Sequence, residues 1–298
     1  MSGEPLTLGL SGELGWQIWR LYLGFGAALG LIIGSFLNVV ISRLPEDRSV
    51  VSPPSACPRC STPIAPRDNI PVVSWLLLRG RCRSCAAPIS SLYPTIELLT
   101  GVLGAALYIR LLPDPSALDL AHGAAFVVHL VFVAMLIAIT FIDLRHYIIP
   151  DEMSVYAIPF AFAAMALLEW LGWEGAIGWR ASALGALFGG GALIAIMGLY
   201  YLVRRRQGMG WGDPKMLGMI GAFLGPVPAL PIVIFVAATA ASAVGMALLV
   251  LRRGKGVGMQ TALPFGPFLA LGAVVYLLHG DELARRWLID PALLWSLR

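Results

Sequence analysis

The chain has 298 residues, of which 58% are hydrophobic and 13% are charged. Soluble globular domains carry about 45–50% apolar and about 25% charged residues, so this composition excludes a single soluble domain. The polar or low-complexity sequence that disordered and fibrous proteins need is also missing. The net charge of +4 comes from 21 basic and 17 acidic residues, and no basic run is long enough to indicate nucleic-acid binding. The composition therefore predicts a polytopic membrane protein.

Apolar runs along the chain predict an all-α fold with about eight transmembrane helices, since one crossing needs about 20 apolar residues. The sixth run is too short for a full crossing unless it tilts or begins inside a protein-lined cavity. The chain after residue 280 mixes Arg285 and Arg286 with Leu and Trp, which predicts an interfacial tail over 281–298. The eight runs lie at residues 21–42, 95–111, 124–142, 153–171, 181–203, 214–224, 229–251 and 264–279.

The loops between these runs differ in charge. Fifteen of the 21 Lys and Arg residues fall in one set of loops, and six fall in the other set and the termini. The positive-inside rule then places the first set in the cytoplasm and both termini outside. Without the sixth span the basic cluster at 252–255 would lie outside, so the charge distribution favours eight spans. The basic set consists of residues 43–94, 143–152, 204–215 and 252–261.

The N-terminal segment, residues 1–42, has Glu4 and Glu13 but no basic residue before Arg20. Because its apolar run is also about 22 residues long, we expect a retained anchor and not a cleaved signal peptide. Residues 43–94 are polar and proline-rich, which predicts a small cytoplasmic domain. The sequence shows no internal repeat.

All four cysteines lie in that domain, as two CxxC pairs separated by 21 residues: Cys57, Cys60, Cys82 and Cys85. This spacing is typical of a zinc ribbon, in which four thiolates surround the metal. A loop of this length buries little core, so a structural metal would supply its stability. Two disulfides or a redox pair are the alternative, which reduced cytoplasmic thiols disfavour. Four thiolates leave no open position, so we expect a structural and not a catalytic zinc.

Acidic residues beside the spans are the next signal, since ionisable groups at membrane depth are costly and usually functional. Asp143 ends the third span, where the helix dipole disfavours an anion, so capping does not explain it. A salt bridge to Arg145 or His146 is the structural alternative. Asp151 opens the fourth span after Pro150, and we expect it to cap a helix N-terminus.

Asp213 stands in a glycine-rich loop at the start of the short sixth run. Glycines allow positive φ or a close backbone approach, which suits a site that a peptide backbone must enter. A helix cap is the structural alternative for Asp213. A phosphate-binding loop is disfavoured because the P-loop spacing and its Lys-Ser/Thr ending are absent. The residues predicted to support this loop are Gly208, Gly210, Gly212 and Lys215.

Asp143 and Asp213, on one membrane face, would suit an aspartyl protease pair, in which two close carboxylates share one proton. A proton-coupled transporter with a zinc-ribbon regulatory domain is the alternative. Transporter acids normally lie near the bilayer midplane, often between inverted repeats, and neither feature is evident here. A membrane scaffold that docks partners on its metal domain would explain neither acid.

Several motifs together resemble one known family, the bacterial type IV prepilin peptidases, also called leader peptidase/N-methyltransferases, which are GxGD-type aspartic peptidases. The resemblance covers nearly the whole chain. Its motifs are Gly34-Ser35-Phe36-Leu37-Asn38, both CxxC pairs, Asn69-Ile70-Pro71, Tyr93-Pro94 with Glu97, Asp143-Leu144-Arg145-His146, Gly210-Trp211-Gly212-Asp213 and Pro264-Phe265-Gly266-Pro267-Phe268.

The resemblance implies an aspartic endopeptidase of the bacterial inner membrane, with its peptidase domain over residues 95–280 and its catalytic aspartates at Asp143 and Asp213. Its substrates would be the precursors of type IV pilins or of type II secretion pseudopilins, cut after a short basic leader at the cytoplasmic face. The cysteine domain implies the bifunctional type, which also methylates the new N-terminus with S-adenosylmethionine. No residue here is assigned to that cofactor, and no oligomeric state is indicated.

Overall fold

The computed structural model describes residues 12–115, 118–205, 210–251 and 263–287. The described residues confirm the all-α prediction, since they contain helices and only two isolated β-bridges, at Ala56–Pro63 and Arg81–Pro88. The α-helices are α1 (Glu13–Arg43), α2 (Val73–Leu77), α3 (Leu92–Leu111), α4 (Leu120–His146), α5 (Ala157–Trp170), α6 (Gly178–Arg204), α7 (Gly212–Leu224), α8 (Ala229–Leu251) and α9 (Gly266–Trp287).

Seven of the eight predicted spans are confirmed as helices long and apolar enough to cross a membrane, namely α1, α3, α4, α5 with the turn before it, α6, α8 and α9. The sixth, α7, has 13 residues and is not among these candidate spans. It rises only about 20 Å, less than the hydrocarbon thickness. The last helix is longer than its predicted run, because residues 281–287 continue α9 and do not form a separate tail. The rest of the predicted tail lies outside the described residues.

The chain divides into two compact units, residues 1–138 and 139–298, with the division inside α4. In the first unit α1 packs against α3. Glycines let these backbones approach closely: a Cβ on Gly34 would lie 2.7 Å from the Cα of Glu97. One turn further along α1, the Asn38 side-chain amide donates to the carbonyl oxygen of Tyr93 at 3.1 Å. The polar segment of residues 44–91, which we call the cysteine loop, connects these two helices.

In the second unit α7 is the central helix and packs against α5, α6, α8 and α9. Its contact with α6 is set by small residues: a Cβ on Gly190 of α6 would lie 3.3 Å from the carbonyl oxygen of Pro214. At the other end of α7, a Cβ on Gly225 would lie 3.7 Å from Ile177, the residue before α6 begins. The start of α7, and with it Asp213, therefore lies beside the middle of α6.

Candidate active site and cysteine cluster

Asp143 is buried in the last turn of α4, with 6% of its surface exposed. Its Oδ2 accepts a hydrogen bond of 3.1 Å from the backbone N–H of Gly266, the first residue of α9. The N–H groups of a first helical turn lack partners within the helix and favour an anion. Asp143 is therefore stabilised by the N-terminus of a different helix, a role that the spacing along α4 alone did not reveal. Among the described residues, the alternative salt bridge to Arg145 or His146 does not form.

The turn after α4 brings the starts of α7 and α9 towards Asp143. Ile149 is central to this turn: a Cβ on Gly212 would lie 3.0 Å from its Cδ1, and a Cβ on Gly266 would lie 3.4 Å from the same atom. A Cβ on Gly266 would also lie 2.6 Å from Oδ2 of Asp143. The first residue of each helix must therefore be glycine, because its backbone lies directly against Ile149 and, in α9, also against Asp143. The predicted Gly208 lies outside the described residues.

Asp213 is the second residue of α7 and is partly buried. Trp211 occupies the N-cap position and makes no side-chain capping bond, so Asp213 is not the N-cap of α7. Burial, with a further contribution from the charge of Asp143, raises the pKa of Asp213 to about 6. The two predicted aspartates therefore belong to one electrostatically coupled site. Asp143 lies at the end of the candidate span α4, and Asp213 lies in α7, which is not a candidate span. A Cβ on Gly210 would make only an ordinary contact, 4.0 Å from the backbone N of Gly212.

Asp151 and Lys215 form an ion pair beside this site. The Lys215 ammonium donates to Oδ1 of Asp151 at 2.6 Å, with 34% and 51% of the two side chains exposed. The expectation that Asp151 caps a helix is wrong, because Pro150 holds the N-cap position of the following 3₁₀ turn and Asp151 makes no side-chain cap. Lys215 lies in the first turn of α7 and not in the loop before it. The pair connects the α4–α5 turn with the helix that carries Asp213.

Two carboxylates in this arrangement can perform general acid–base chemistry. One of them accepts a fixed backbone N–H, and the pKa of the other, Asp213, is raised to about 6, so it keeps a proton at mildly acidic pH, where a free aspartate has lost it. Different environments for two neighbouring carboxyl groups are what separates an acid from a base. The sequence signal that found both residues was their position beside apolar spans. Gly266 was missed as a site residue, since it is uncharged and 123 residues away from Asp143.

The four cysteines form a second site in the loop between α1 and α3. All four are free, and their sulfur atoms lie within 4.8 Å of one another. The Sγ atoms of Cys57 and Cys85 are 3.8 Å apart, and those of Cys60 and Cys82 are 4.0 Å apart. Thiolates around a tetrahedral zinc, with Zn–S bonds of about 2.3 Å, would be about 3.8 Å apart. The cluster could therefore hold a metal ion.

Each CxxC pair belongs to a tight turn with the same internal bonds. The N–H of Cys57 donates to the carbonyl of Thr62 at 3.0 Å, and the N–H of Cys82 donates to that of Ala87 at 2.8 Å. The matching sequences are Cys-x-x-Cys-x-x-Pro-Ile at residues 57–64 and 82–89. The chain thus does contain a short repeat, and the prediction of no internal repeat is wrong. The repeat is inconspicuous because only the two cysteines, the proline and the isoleucine are shared between its copies. Hydrogen bonds with Thr62 lower the pKa of the Cys60 thiol to about 6, which favours the thiolate that metals bind.

Glu97 anchors this loop to α3. It is buried, with 8% of its surface exposed, and its Oε2 accepts a hydrogen bond of 2.7 Å from the backbone N–H of Val72. Val72 has a φ of 62°, an unfavourable conformation for a β-branched residue. An acidic side chain that only extended towards the membrane surface would be exposed. Glu97 is instead a buried acceptor that holds the loop.

Two family models match the chain. One is described as the bacterial peptidase A24 N-terminal domain and matches residues 28–111, and the other as the type IV leader peptidase family and matches residues 130–248. A protein named prepilin leader peptidase/N-methyltransferase from Aeromonas hydrophila is 36% identical over 96% of this chain and 99% of its own length. The chain belongs to the type IV leader peptidase family.

Relatives with the same name occur in other bacteria. The Burkholderia pseudomallei (strain 1026b) protein is 37% identical over 87% of this chain and 85% of its own length. The Pseudomonas aeruginosa protein is 34% identical, with 87% and 91% covered. No solved structure gives a significant match. Membership makes the chain an enzyme of a peptidase family and an inner-membrane protein, which favours a peptidase over a transporter or scaffold.

Proposed function

We propose that the chain is an aspartic endopeptidase that removes the basic leader from type IV prepilins or pseudopilins. The observation that carries this proposal is the coupling of Asp143 and Asp213 at the meeting point of α4, α7 and α9. The names of the relatives supply the substrate class.

In the proposed mechanism Asp143 is the base and Asp213 is the acid. Water attacks the scissile carbonyl carbon and gives a proton to Asp143, while Asp213 gives its proton to the carbonyl oxygen. The resulting gem-diol breaks its C–N bond. The leaving amine takes the proton from Asp143, and a diol hydroxyl returns a proton to Asp213. The N–H of Gly266 fixes the orientation of the Asp143 carboxylate during both transfers.

The test is cleavage of a prepilin inserted in proteoliposomes. Asp143→Asn and Asp213→Asn should each lower the rate by at least about 10³-fold, the scale of losing an essential catalytic group. Glu282→Gln is the matched control, since this exposed carboxylate pairs with Arg286 on the surface of α9 and should leave the rate unchanged. If either aspartate variant folds normally and cleaves at the wild-type rate, the proposal fails.

We further propose that the four cysteines bind a structural zinc ion. The sulfur separations match a tetrahedral thiolate shell, and the low pKa of Cys60 supports a thiolate donor. Zinc bound by four thiolates has no open position, so it would hold the loop's fold and take no part in peptide cleavage.

We also propose that the enzyme methylates the new N-terminal amine of its product. S-adenosylmethionine would supply an electrophilic methyl group, leaving as S-adenosylhomocysteine while the amine loses a proton. The support is the name of the relatives, and we assign no residue to the cofactor. Transfer of isotope-labelled methyl to cleaved pilin by the purified enzyme would test it.

We propose that the aspartates and the cysteine loop face the cytoplasm of a bacterium and that both termini lie outside. The support is the excess of basic residues in the loops at residues 43–94, 143–152, 204–215 and 252–261. A basic leader lies on that side before export of the pilin, so the substrate class and the charge distribution agree.

A further inference from the structure

An apolar surface lies on the cysteine loop around α2. The stretch from Ile70 to Leu78 is the least polar part of the loop. Its large side chains are not in a core: 61% of Leu76 and 77% of Leu77 are exposed, and about half of Ile70 and Val73. We call these four residues the α2 face. A loop of about 50 residues that leaves this much apolar surface open needs something to cover it.

The depth of the α2 face follows from the bond between Val72 and Glu97. Val72 immediately precedes α2, and its N–H donates to Glu97 at 2.7 Å. Glu97 is the sixth residue of α3, a candidate span, so it lies about 7 Å beyond the start of that helix. The beginning of α2 is therefore level with the first turns of a membrane helix.

The position of α1 indicates the same membrane depth for Val72. Gly34 of α1 contacts Glu97, and α1 continues for nine more residues to Arg43, about 13 Å by helix rise. The part of α1 from Gly34 to Ile41 is mostly apolar, with Ser35 and Asn38 as its polar residues. Val72 thus lies beside the apolar ends of two spans, and the α2 face is at the level where hydrocarbon meets headgroups.

The charges around the α2 face fit an anionic surface. Residues 43–94 contain seven arginines and three acidic residues. Arg67, Arg79 and Arg81 lie close in sequence to the face on both sides, and all three are exposed. An apolar surface flanked by basic side chains is the combination that binds in the interface of anionic bilayers.

We infer that the α2 face is a membrane-surface anchor. Ile70, Val73, Leu76 and Leu77 enter the boundary between headgroups and acyl chains, and the flanking arginines contact anionic headgroups. The cysteine loop is then held by the bilayer as well as by Glu97. This inference does not depend on peptide cleavage, so it can fail while the proposed function stands.

Photo-crosslinking of the full chain tests the anchor without using cysteine chemistry. A benzophenone amino acid replaces Leu77 in one variant and Ile64 in the matched control, in vesicles of equal parts phosphatidylethanolamine and phosphatidylglycerol. Ile64 is exposed, equally apolar, and occupies in the first cysteine turn the place that Ile89 has in the second. Irradiation followed by intact-mass measurement should give several-fold more lipid adduct at position 77 than at position 64.

Equal metal content in both variants shows that the loop remains folded. Equal lipid adduct at the two positions, or crosslinks from position 77 to protein in place of lipid, would overturn the anchor. The headgroup contact is tested separately with phosphatidylcholine vesicles. A several-fold lower yield at position 77 in these vesicles supports it, and an unchanged yield overturns the role of the arginines.

Discussion

The carboxylate of Asp143 depends on a glycine far away in the sequence. Gly266 both donates its N–H to this carboxylate and has no room for a side chain, since a Cβ would lie 2.6 Å from Oδ2. A carboxylate that moved away from this N–H would lose a charge-assisted hydrogen bond and its alignment with the substrate. We therefore expect Gly266 to position the proposed base, Asp143, although it carries no chemistry of its own.

Gly266→Ala should lower prepilin cleavage by at least about tenfold, which corresponds to about 1.4 kcal/mol of transition-state stabilisation. The added methyl group must displace either Asp143 or the start of α9. Gly198→Ala on α6 is the matched control, because a Cβ there meets nothing within 4 Å. Cleavage by Gly266→Ala at the rate of the Gly198→Ala protein would show that the contact has no role in catalysis.

The pH dependence of cleavage should reflect the pKa of Asp213, which burial and the charge of Asp143 raise to about 6. Below this pH the pair holds its shared proton, and above it the proton is lost and no acid remains. We therefore expect kcat/KM for prepilin to fall as the pH rises above about 6, with the slope of one proton and an apparent pKa that belongs to the pair. A rate that stays constant from well below to well above pH 6 would contradict proton sharing.

The same pKa has a consequence for folding stability. The pKa of Asp213 is raised from 3.8 to about 6, so the folded state binds more protons than the unfolded state between these values. The contribution of Asp213 to stability is thus fully present below pH 3.8, is lost as the pH rises through 6, and stays lost above it.

For individual residues, the sequence identified Asp143 and Asp213 as candidates but did not reveal which residues surround them. Asp143 and Asp213 were found because charges beside apolar spans are rare and need a reason. The predicted capping role of Asp151 was wrong. A sequence shows which residue precedes a helix, but it does not show that Lys215, 64 residues later, binds the carboxylate of Asp151. Gly266 carries no charge, and although it lies within one of the family motifs, its contact with Asp143 becomes visible only once α9 is placed next to α4.

The paired cysteine turns are elements that packing alone does not stabilise. Their backbones are held by few hydrogen bonds, and three of the four cysteines are not fully buried. Metal binding of about 10–16 kcal/mol in comparable sites would exceed anything that so small a loop gains from its core. The repeat of residues 57–64 and 82–89 gives each turn an equal share of the ligands.

Cys82→Ser should therefore release zinc and leave the loop of residues 57–89 open to proteolysis. Metal analysis of the purified full chain and limited proteolysis are the measurements. Ser84→Ala, an exposed change within the same turn, should keep both the metal and the protection. Full zinc occupancy in Cys82→Ser, or no zinc in the wild-type protein, would contradict a four-cysteine site.

Close packing of α6 on α7 determines where Asp213 lies. Gly221 of α7 meets the backbone of Gly185 on α6, with no space for a larger residue. Gly221→Leu should separate the helices, lower stability by about 1–3 kcal/mol as overpacking does, and reduce cleavage through displacement of Asp213. Thermal unfolding and the cleavage assay would measure both effects.

Gly198→Leu is the control for this packing, because the same residue is added to α6 at an open position. Equal stability and activity of the Gly221 and Gly198 variants would show that the contact is unimportant. The sequence predicted α7 as a short apolar run but not its place beside the middle of α6. That place depends on backbone contacts between glycines, which have no hydrophobic pattern.

At the scale of the whole molecule, the distribution of Lys and Arg among the loops predicts how many times the chain crosses the membrane. Seven described helices are long enough to span, yet the basic residues at 252–255 belong with those of the cysteine loop only if α7 also carries the chain across. Helix length alone predicts seven membrane crossings, whereas the distribution of charge among the loops predicts eight. Membrane topology is thus a collective property that no single helix decides.

Reporter fusions measure this topology directly. Alkaline phosphatase, active only outside the cytoplasm, should be inactive when fused after Lys255 and active when fused after Gly175, in the turn between α5 and α6. The physical reason is the cost of moving clustered basic residues across the membrane. An active fusion after Lys255 would show that α7 does not complete a crossing.

The bond between Val72 and Glu97 has a consequence for biosynthesis. The ribosome makes the acceptor 25 residues after the donor, and both CxxC pairs are complete before Glu97 is added. Because the chain leaves the ribosome from its N-terminus, the cysteine loop emerges before α3 does. Only the arrival of that helix in the bilayer supplies the carboxylate that accepts the bond from Val72, so docking of the loop follows insertion of α3.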